Sequence, residues 1–354
     1  MIENSKTILR SLAEKIWFMM TLVLDGIAPE QTLVLLKLED GRDLHQALRA
    51  LDFREVVLLI IKLILYVQAI YLWNSRTFKF SVQRLRNMCL HGLFLSVNIT
   101  DFIFIPTDKH KDQNCVIDIS KNGLRIVVDD QNCVQGIAYF KSDLFAEFIL
   151  NEDVVTFRIP LCIFMECLSA FGAGVSTVLK MTYDGYGEPL KVMLEKDEIV
   201  ARCLIKTQNP DVVLDFDFNP ARVAAKVIMK PWMLKETFHE LDQSSPCVGF
   251  RVDQFSLSVI TKGDLGRIKT MFPHYSEQIE LLECNQNVEF IYRLSLVKRM
   301  TPSLDICSKL SLRIDHQGIL SIQFVVEHNG NSHIFLEFFC IPDIPTSEEN
   351  MSMD

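Results

Sequence analysis

One order of elements recurs along this chain and limits the folds open to it. A strand-like run is followed by an amphipathic helix and then by three more strand-like runs. "VVTFRI", "PLCIFMECLSAFGAG", "TVLKMTYD", "PLKVMLE" and "IVARCLIKT" form one such unit. "ARVAAKVIMK", "PWMLKETFHELD", "CVGFRV", "FSLSVIT" and "RIKTMFP" form the next. "NVEFIYRL", "SLVKRMTPSL", "ICSKLSLRID", "GILSIQFVVE" and "HIFLEFFCIP" form a third. Pro160 and Pro231 stand where first helical residues belong, and Gly172 reads as a stop. Leu161, Phe164, Leu168 and Phe171 share one helical face, as do Leu234, Phe238 and Leu241. The units share order and length rather than residue identities, so the repetition lies in the architecture.

A fourth unit opens the series. "TLVLLKLED" is its strand and "GRDLHQALRALDF" its helix, with Asp43 as candidate cap and Leu44, Ala47, Leu48 and Leu51 on one face. Its three strands are "CVIDIS", "GLRIVVDD" and "CVQGIAYF", with "KNG" as the hairpin turn between the first two. Residues 56–114 separate helix from strands where the pattern wants only a tight connection. Four units pair into two similar domains, 31–206 and 221–342, joined by a connector at 207–220. The expected class is α+β, with two helices packed on antiparallel sheet in each domain.

Composition sets outer bounds. Among 354 residues, 49% are hydrophobic, which supports sizeable cores and argues against a disordered chain. The net charge of -9 argues against an all-basic surface, though a basic stripe fits on an acidic body. Ten cysteines without a C-x-x-C pair, most of them in apolar runs, read as free buried thiols in a reducing compartment. No metal or cofactor site is expected. The first thirty residues lack the features of a secretory signal, and "PTSEENMSMD" reads as an acidic disordered tail over 343–354.

"LDFREV", "KNGLRIVVDDQNCVQGIAYF", "VTFRIPLCIFMECLSAFG", "MTYDGYGEPLKVMLE", "LDFDF" and "FCIPD" together resemble the Rad-one family of checkpoint sliding-clamp subunits, relatives of the proliferating cell nuclear antigen. "TYDGYGEPL" and "LDFDF", in this order and spacing, are the most specific. The resemblance covers about residues 31–55 and 115–343. It implies a sliding-clamp fold and a nuclear, non-catalytic subunit of a heterotrimeric ring beside Rad-nine and Hus-one type subunits. Such a ring encircles double-stranded DNA without sequence preference, is placed by a clamp loader, and recruits checkpoint and repair proteins.

Under that resemblance the four helices line the hole. The candidate DNA-facing residues are Arg42, His45, Arg49, Lys230, Lys235, His239, Arg293, Lys298 and Arg299, with Glu166 on the second helix. The candidate subunit-interface residues are Ile199, Arg202 and Ile205 in one edge strand and Arg267, Lys269 and Phe272 in another. The connector residues Val213, Leu214, Asp215, Phe216, Asp217 and Phe218 form the candidate lip for partner peptides.

Two rival classes remain open. Asp215 and Asp217 at i, i+2 suggest a 3'-5' exonuclease, but the two-metal chemistry needs more converging carboxylates than these. "REVVLLIIKLILYVQAIYLW" is near the lower length for a membrane span, with Lys62 costly inside it. Because 56–114 interrupts a soluble fold, we read it as a lineage-specific insertion or, preferably, translated intron; residues 1–30 raise the same suspicion.

Overall fold

The computed structural model describes residues 32–52, 113–130, 132–172, 174–210, 216, 218–242, 244–264, 266–328 and 332–343. Residues 1–30 and the 56–73 stretch therefore lie outside the described residues, as do 56–112 of the interrupting segment and most of the tail. Among the described residues, no helix is long and apolar enough to cross a membrane.

The first half runs β1 (Val34–Leu38), α1 (Arg42–Leu51), β2 (Asn114–Ser120), β3 (Gly123–Asp130), β4 (Val134–Lys141), β5 (Glu147–Leu150), β6 (Val154–Pro160), α2 (Leu161–Leu168), β7 (Val178–Tyr183), β8 (Leu190–Lys196) and β9 (Ile199–Ile205). The second half repeats the series: β10 (Val223–Met229), α3 (Pro231–Glu240), β11 (Cys247–Val252), β12 (Ser256–Gly263), β13 (Gly266–Pro273), β14 (Ile279–Cys284) and β15 (Val288–Arg293). It closes with α4 (Leu294–Val297), α5 (Thr301–Ile306), β16 (Lys309–Asp315), β17 (Leu320–His328) and β18 (Ser332–Cys340).

The sheets show how the halves correspond. One sheet is ordered β5-β1-β7-β8-β9, another β13-β12-β11-β15, and the third β14-β10-β16-β17-β18-β4-β3-β2-β6. The long sheet is thus a five-strand block and a four-strand block, each with a counterpart among the two shorter sheets. They fuse where β18 pairs antiparallel with β4, from Phe335 opposite Tyr139 to Cys340 opposite Val134.

Local chemistry explains the elements. In β1 the buried residues alternate, so Val34, Leu36 and Leu38 face the core. On α1, Leu44, Leu48 and Leu51 are fully buried, each contributing about 1.5–3 kcal/mol by leaving water. The turn between β2 and β3 requires Gly123: its φ is +134°, and a Cβ there would meet the Phe140 carbonyl oxygen at 2.0 Å.

Several local expectations need correction. Asp43 does not cap α1. The cap position is Gly41, and Asp40 supplies the capping acceptor, taking the Arg42 backbone N–H at 3.0 Å. Asp43 sits in the first turn and accepts a hydrogen bond from His328 of β17. Pro160 ends β6 and stands just before α2, while Pro231 does open α3. The last expected helix is broken: a 3₁₀ turn at Lys298–Met300 separates α4 from α5, whose first turn holds Pro302, a residue with no N–H to continue the ladder. Strands β5 and β14 were not expected. Of the nine described cysteines, only Cys115 and Cys340 are buried; the other seven are half-buried.

Candidate DNA-facing helices and subunit edges

Packing places the helices in one row. Helix α1 lies between α2 and α5, and α5 also packs on α3. The order α2-α1-α5-α3 sets the helices of both halves side by side, with the α1–α5 contact above the β4–β18 joint.

Several charges on this row are matched. Arg42 pairs with Asp40, the guanidinium Nε donating at 2.7 Å. Lys235 reaches Asp305 of α5 at 2.8 Å, and that pairing holds its ammonium above the usual lysine range. Arg293 ends β15 and lies 3.4 Å from Asp343. Arg299 pairs with Asp130 at the end of β3, across the joint, and burial pushes its guanidinium down. Four of the nine expected DNA-facing cations are therefore neutralised within the chain. Burial also pushes the Lys298 ammonium down. Arg49, Lys230 and His239 are exposed and His45 is half-buried, while Glu166 is exposed on α2. The row is mildly basic at most, which suits weak, sequence-independent attraction to phosphate better than tight binding.

The described sheet edges differ in how they are protected. The backbone of β6 is bridged by Gln208, which exchanges N–H···O bonds with Arg158 at 3.0 and 2.8 Å. The edge of β15 receives the Asp343 N–H on the Ile291 carbonyl at 2.7 Å. Strand β5 has only four residues, and β14 carries Glu280 and Glu283, paired with Lys309 and Lys226. Strands β9 and β13 are longer, with seven and eight residues, and present apolar side chains outward. Leu204 is 70% exposed and Met271 57% exposed, with Ile199, Val200 and Ile268 beside them. Arg202, Arg267 and Lys269 are exposed on the same strands. Two of the expected contact residues, Ile205 and Phe272, are buried, because period-2 alternation turns them to the core. On the outward face, Val200 and Leu204 flank Arg202 in β9, and Met271 follows Arg267 and Lys269 in β13; the sequence reading did not name these three apolar residues.

The connector meets the outer face of the long sheet beside the joint. Phe216 is buried and stacks on Phe339 of β18 with centroids 5.9 Å apart, and Phe218 tilts onto the same ring at 5.6 Å. Arg313 lies over the Phe218 ring at 5.0 Å. Its Nη2 donates to Glu337 at 2.5 Å and to Ser321 at 2.8 Å, and the Ser321 hydroxyl donates to Glu337 at 2.9 Å. Burial pushes the Arg313 guanidinium down, with Glu337 opposing. This network beneath the connector aromatics, which leaves the buried Arg313 Nε without a hydrogen-bond partner, escaped the sequence reading; its only signal is charge inside the apolar runs "SLRID" and "FLEFF". Val213, Leu214, Asp215 and Asp217 lie outside the described residues. Among the described residues, no group of three or more His, Cys, Asp or Glu side chains gathers as a metal site.

A mixed fold of this kind, with duplicated sheet blocks and a row of helices, defines a clamp-like α+β protein. The profile of the Repair protein Rad1/Rec1/Rad17 family matches residues 104–326, and the chain belongs to that family. It is 37% identical over 237 residues to the human Cell cycle checkpoint protein RAD1, covering 65% of this chain and 84% of the human one. The mouse protein of the same name is 37% identical over 230 residues, 63% of this chain and 82% of its own. The Cell cycle checkpoint protein RAD1 homolog mrt-2 of Caenorhabditis elegans is 34% identical over 224 residues, 63% and 84% respectively.

Proposed function

We propose that the protein is a non-catalytic subunit of a heterotrimeric ring clamp that encircles double-stranded DNA at damage sites and serves as a scaffold for checkpoint signalling and repair factors. In this reading it acts in the nucleus, is placed on DNA by a clamp loader, and consists of two clamp domains, 31–206 and 221–342, joined by the connector at 207–220. Its neighbours are Rad-nine and Hus-one type subunits.

The single observation that carries this is the correspondence of edges. Within the chain, β18 of one block pairs with β4 of the other. The counterpart of β18 in the first half is β9, and the counterpart of β4 in the second half is β13. Both counterparts are edges. Pairing β9 of one subunit with β13 of the next repeats the internal joint and propagates the row of helices around a closed ring. Unlike neighbours are favoured, since Arg202 on one edge and Arg267 and Lys269 on the other would face like charges in self-pairing. The names of the human and mouse relatives support the checkpoint role.

The test is reconstitution with the two unlike subunits, followed by mass determination in solution. A 1:1:1 complex is expected, lost on Leu204→Asp or Met271→Asp with the monomer still folded. A stable homotrimer, or a complex indifferent to both substitutions, refutes the reading.

A further inference from the structure

The internal joint has a register that carries over to the two open edges. Within it, Phe335, Glu337 and Phe339 of β18 stand opposite Tyr139, Ile137 and Gln135 of β4. Strands β4 and β13 correspond residue by residue. Each has eight residues, and each pairs its last residue with the first residue of the strand before it: Lys141 with Gly123, and Pro273 with Ser256. Arg267, Lys269 and Met271 thus take the places of Gln135, Ile137 and Tyr139.

Strands β9 and β18 correspond from their last residues. Ile205 pairs with Leu190, the first residue of β8, and Cys340 pairs with Leu320, the first of β17. Further along the chain, Gln208 bonds the β6 backbone at Arg158, and Asp343 bonds the β15 backbone at Ile291. Arg158 and Ile291 hold the same place, in the last turn-of-pleat of a strand that leads directly into a helix. Val200, Arg202 and Leu204 thus take the places of Phe335, Glu337 and Phe339. The core faces agree: Ala201 and Ile205 are buried, as are their counterparts Leu336 and Cys340. In a joint between β9 of one copy of this chain and β13 of another, the register sets Val200 opposite Met271 and Arg202 directly opposite Lys269. Both of these cations are exposed. Like charges at one cross-strand position repel. At the same position the internal joint has the acid Glu337 opposite the neutral Ile137.

Resting on the proposed pairing of β9 with β13, we infer that this one cross-strand position selects the neighbours. Edge β13 takes a strand that carries a carboxylate opposite Lys269, and edge β9 takes a strand that carries a carboxylate opposite Arg202. Val200 and Met271 add apolar contact that any neighbour with an apolar residue can match. The charge at the Arg202/Lys269 position discriminates, by repelling a second copy of this chain and attracting an acidic strand. Reversing either charge makes the two edges of this chain complementary to each other, and reversing both restores the repulsion with the opposite sign.

The experiment is a charge cycle on the full chain, read by sedimentation equilibrium at low salt. Arg202→Glu and Lys269→Glu alone should each self-associate about tenfold more tightly than wild type, a gain that fades at high salt. The double variant should fall back to the wild-type level, because two carboxylates then meet. Circular dichroism verifies that each variant folds, and the corresponding Asp substitution replaces one that does not. Each single variant is also mixed with the two unlike subunits. Lys269→Glu should lose one neighbour and Arg202→Glu the other. If wild type assembles 1:1:1 while the single variants self-associate no better than the double, or keep both neighbours, the charge selection is overturned and the ring stands. If wild type assembles with neither subunit, the ring reading fails and the charge selection fails with it.

Discussion

Arg299, in the turn between α4 and α5, forms an ion pair with Asp130 at the end of β3, so a cation from the second half neutralises a carboxylate of the first. Both side chains are mostly shielded, at 21% and 26% exposure. Removing the cation strands a partly desolvated carboxylate beside the β4–β18 joint. Arg299→Ala is expected to cost about 1–3 kcal/mol, between the values for exposed and buried pairs. Urea denaturation measures this. A double variant with Asp130→Ala should recover part of the loss, and strictly additive losses would show that the pair is not coupled.

Phe216 anchors the connector through its stack on Phe339. Phe216→Ala should cost up to about 3 kcal/mol and expose the Phe339 ring, since a truncated buried aromatic leaves a cavity or an open face. Cleavage by chymotrypsin at Phe218 should speed up in the same variant. An unchanged cleavage rate would mean that the stack does not hold the connector down.

The acid limb of stability should depend on Asp40. Burial raises its carboxyl, but the Arg42 side chain and backbone N–H, with Ser176, outweigh that and hold it below the usual carboxylate range. A depressed carboxyl contributes stability that is present above its unfolded value near 4 and is lost as pH falls through its folded value. The unfolding free energy should therefore drop between about pH 4 and pH 2. Asp40→Asn should be less stable than wild type at pH 6, with the gap closing toward pH 2. A gap that persists at low pH would place the effect elsewhere.

Gly123 cannot carry a side chain without moving backbone, because its Cβ position lies 2.0 Å from the Phe140 oxygen and 2.8 Å from the Ser142 nitrogen. Gly123→Ala should cost at least about 2 kcal/mol, combining strain at positive φ with displacement of the β3–β4 ladder. Thermal unfolding would reveal it, and a shift of less than a degree would contradict the turn geometry.

Much of the fold is legible in local sequence. β11 falls on "CVGFRV", the expected run, because its apolar content and flanking polar residues are unambiguous. The apolar faces of α1 and α3 emerge from helical spacing alone. "EFIL" and "IELLEC" were passed over because β5 and β14 are short, half-exposed edge strands with no clean alternation. The break at Lys298–Met300 was missed because Pro302 permits a helix to start and says nothing about how the preceding turn ends.

By itself the sequence determined the repeated order of elements, the residues of each core face and the family resemblance, all of which depend on neighbours a few residues apart. Only the tertiary structure decided which strands remain edges. In sequence β9 and β18 are alike, each the last strand of its half with mixed apolar and polar residues. β18 is closed by β4, more than 190 positions away in the chain, while β9 has no such partner among the described strands. Whether a strand's outer N–H and C=O groups are satisfied depends on what long-range closure brings beside it. The same holds for Arg299, read as a solvent-facing cation from its helix and matched instead by an acid from the opposite half.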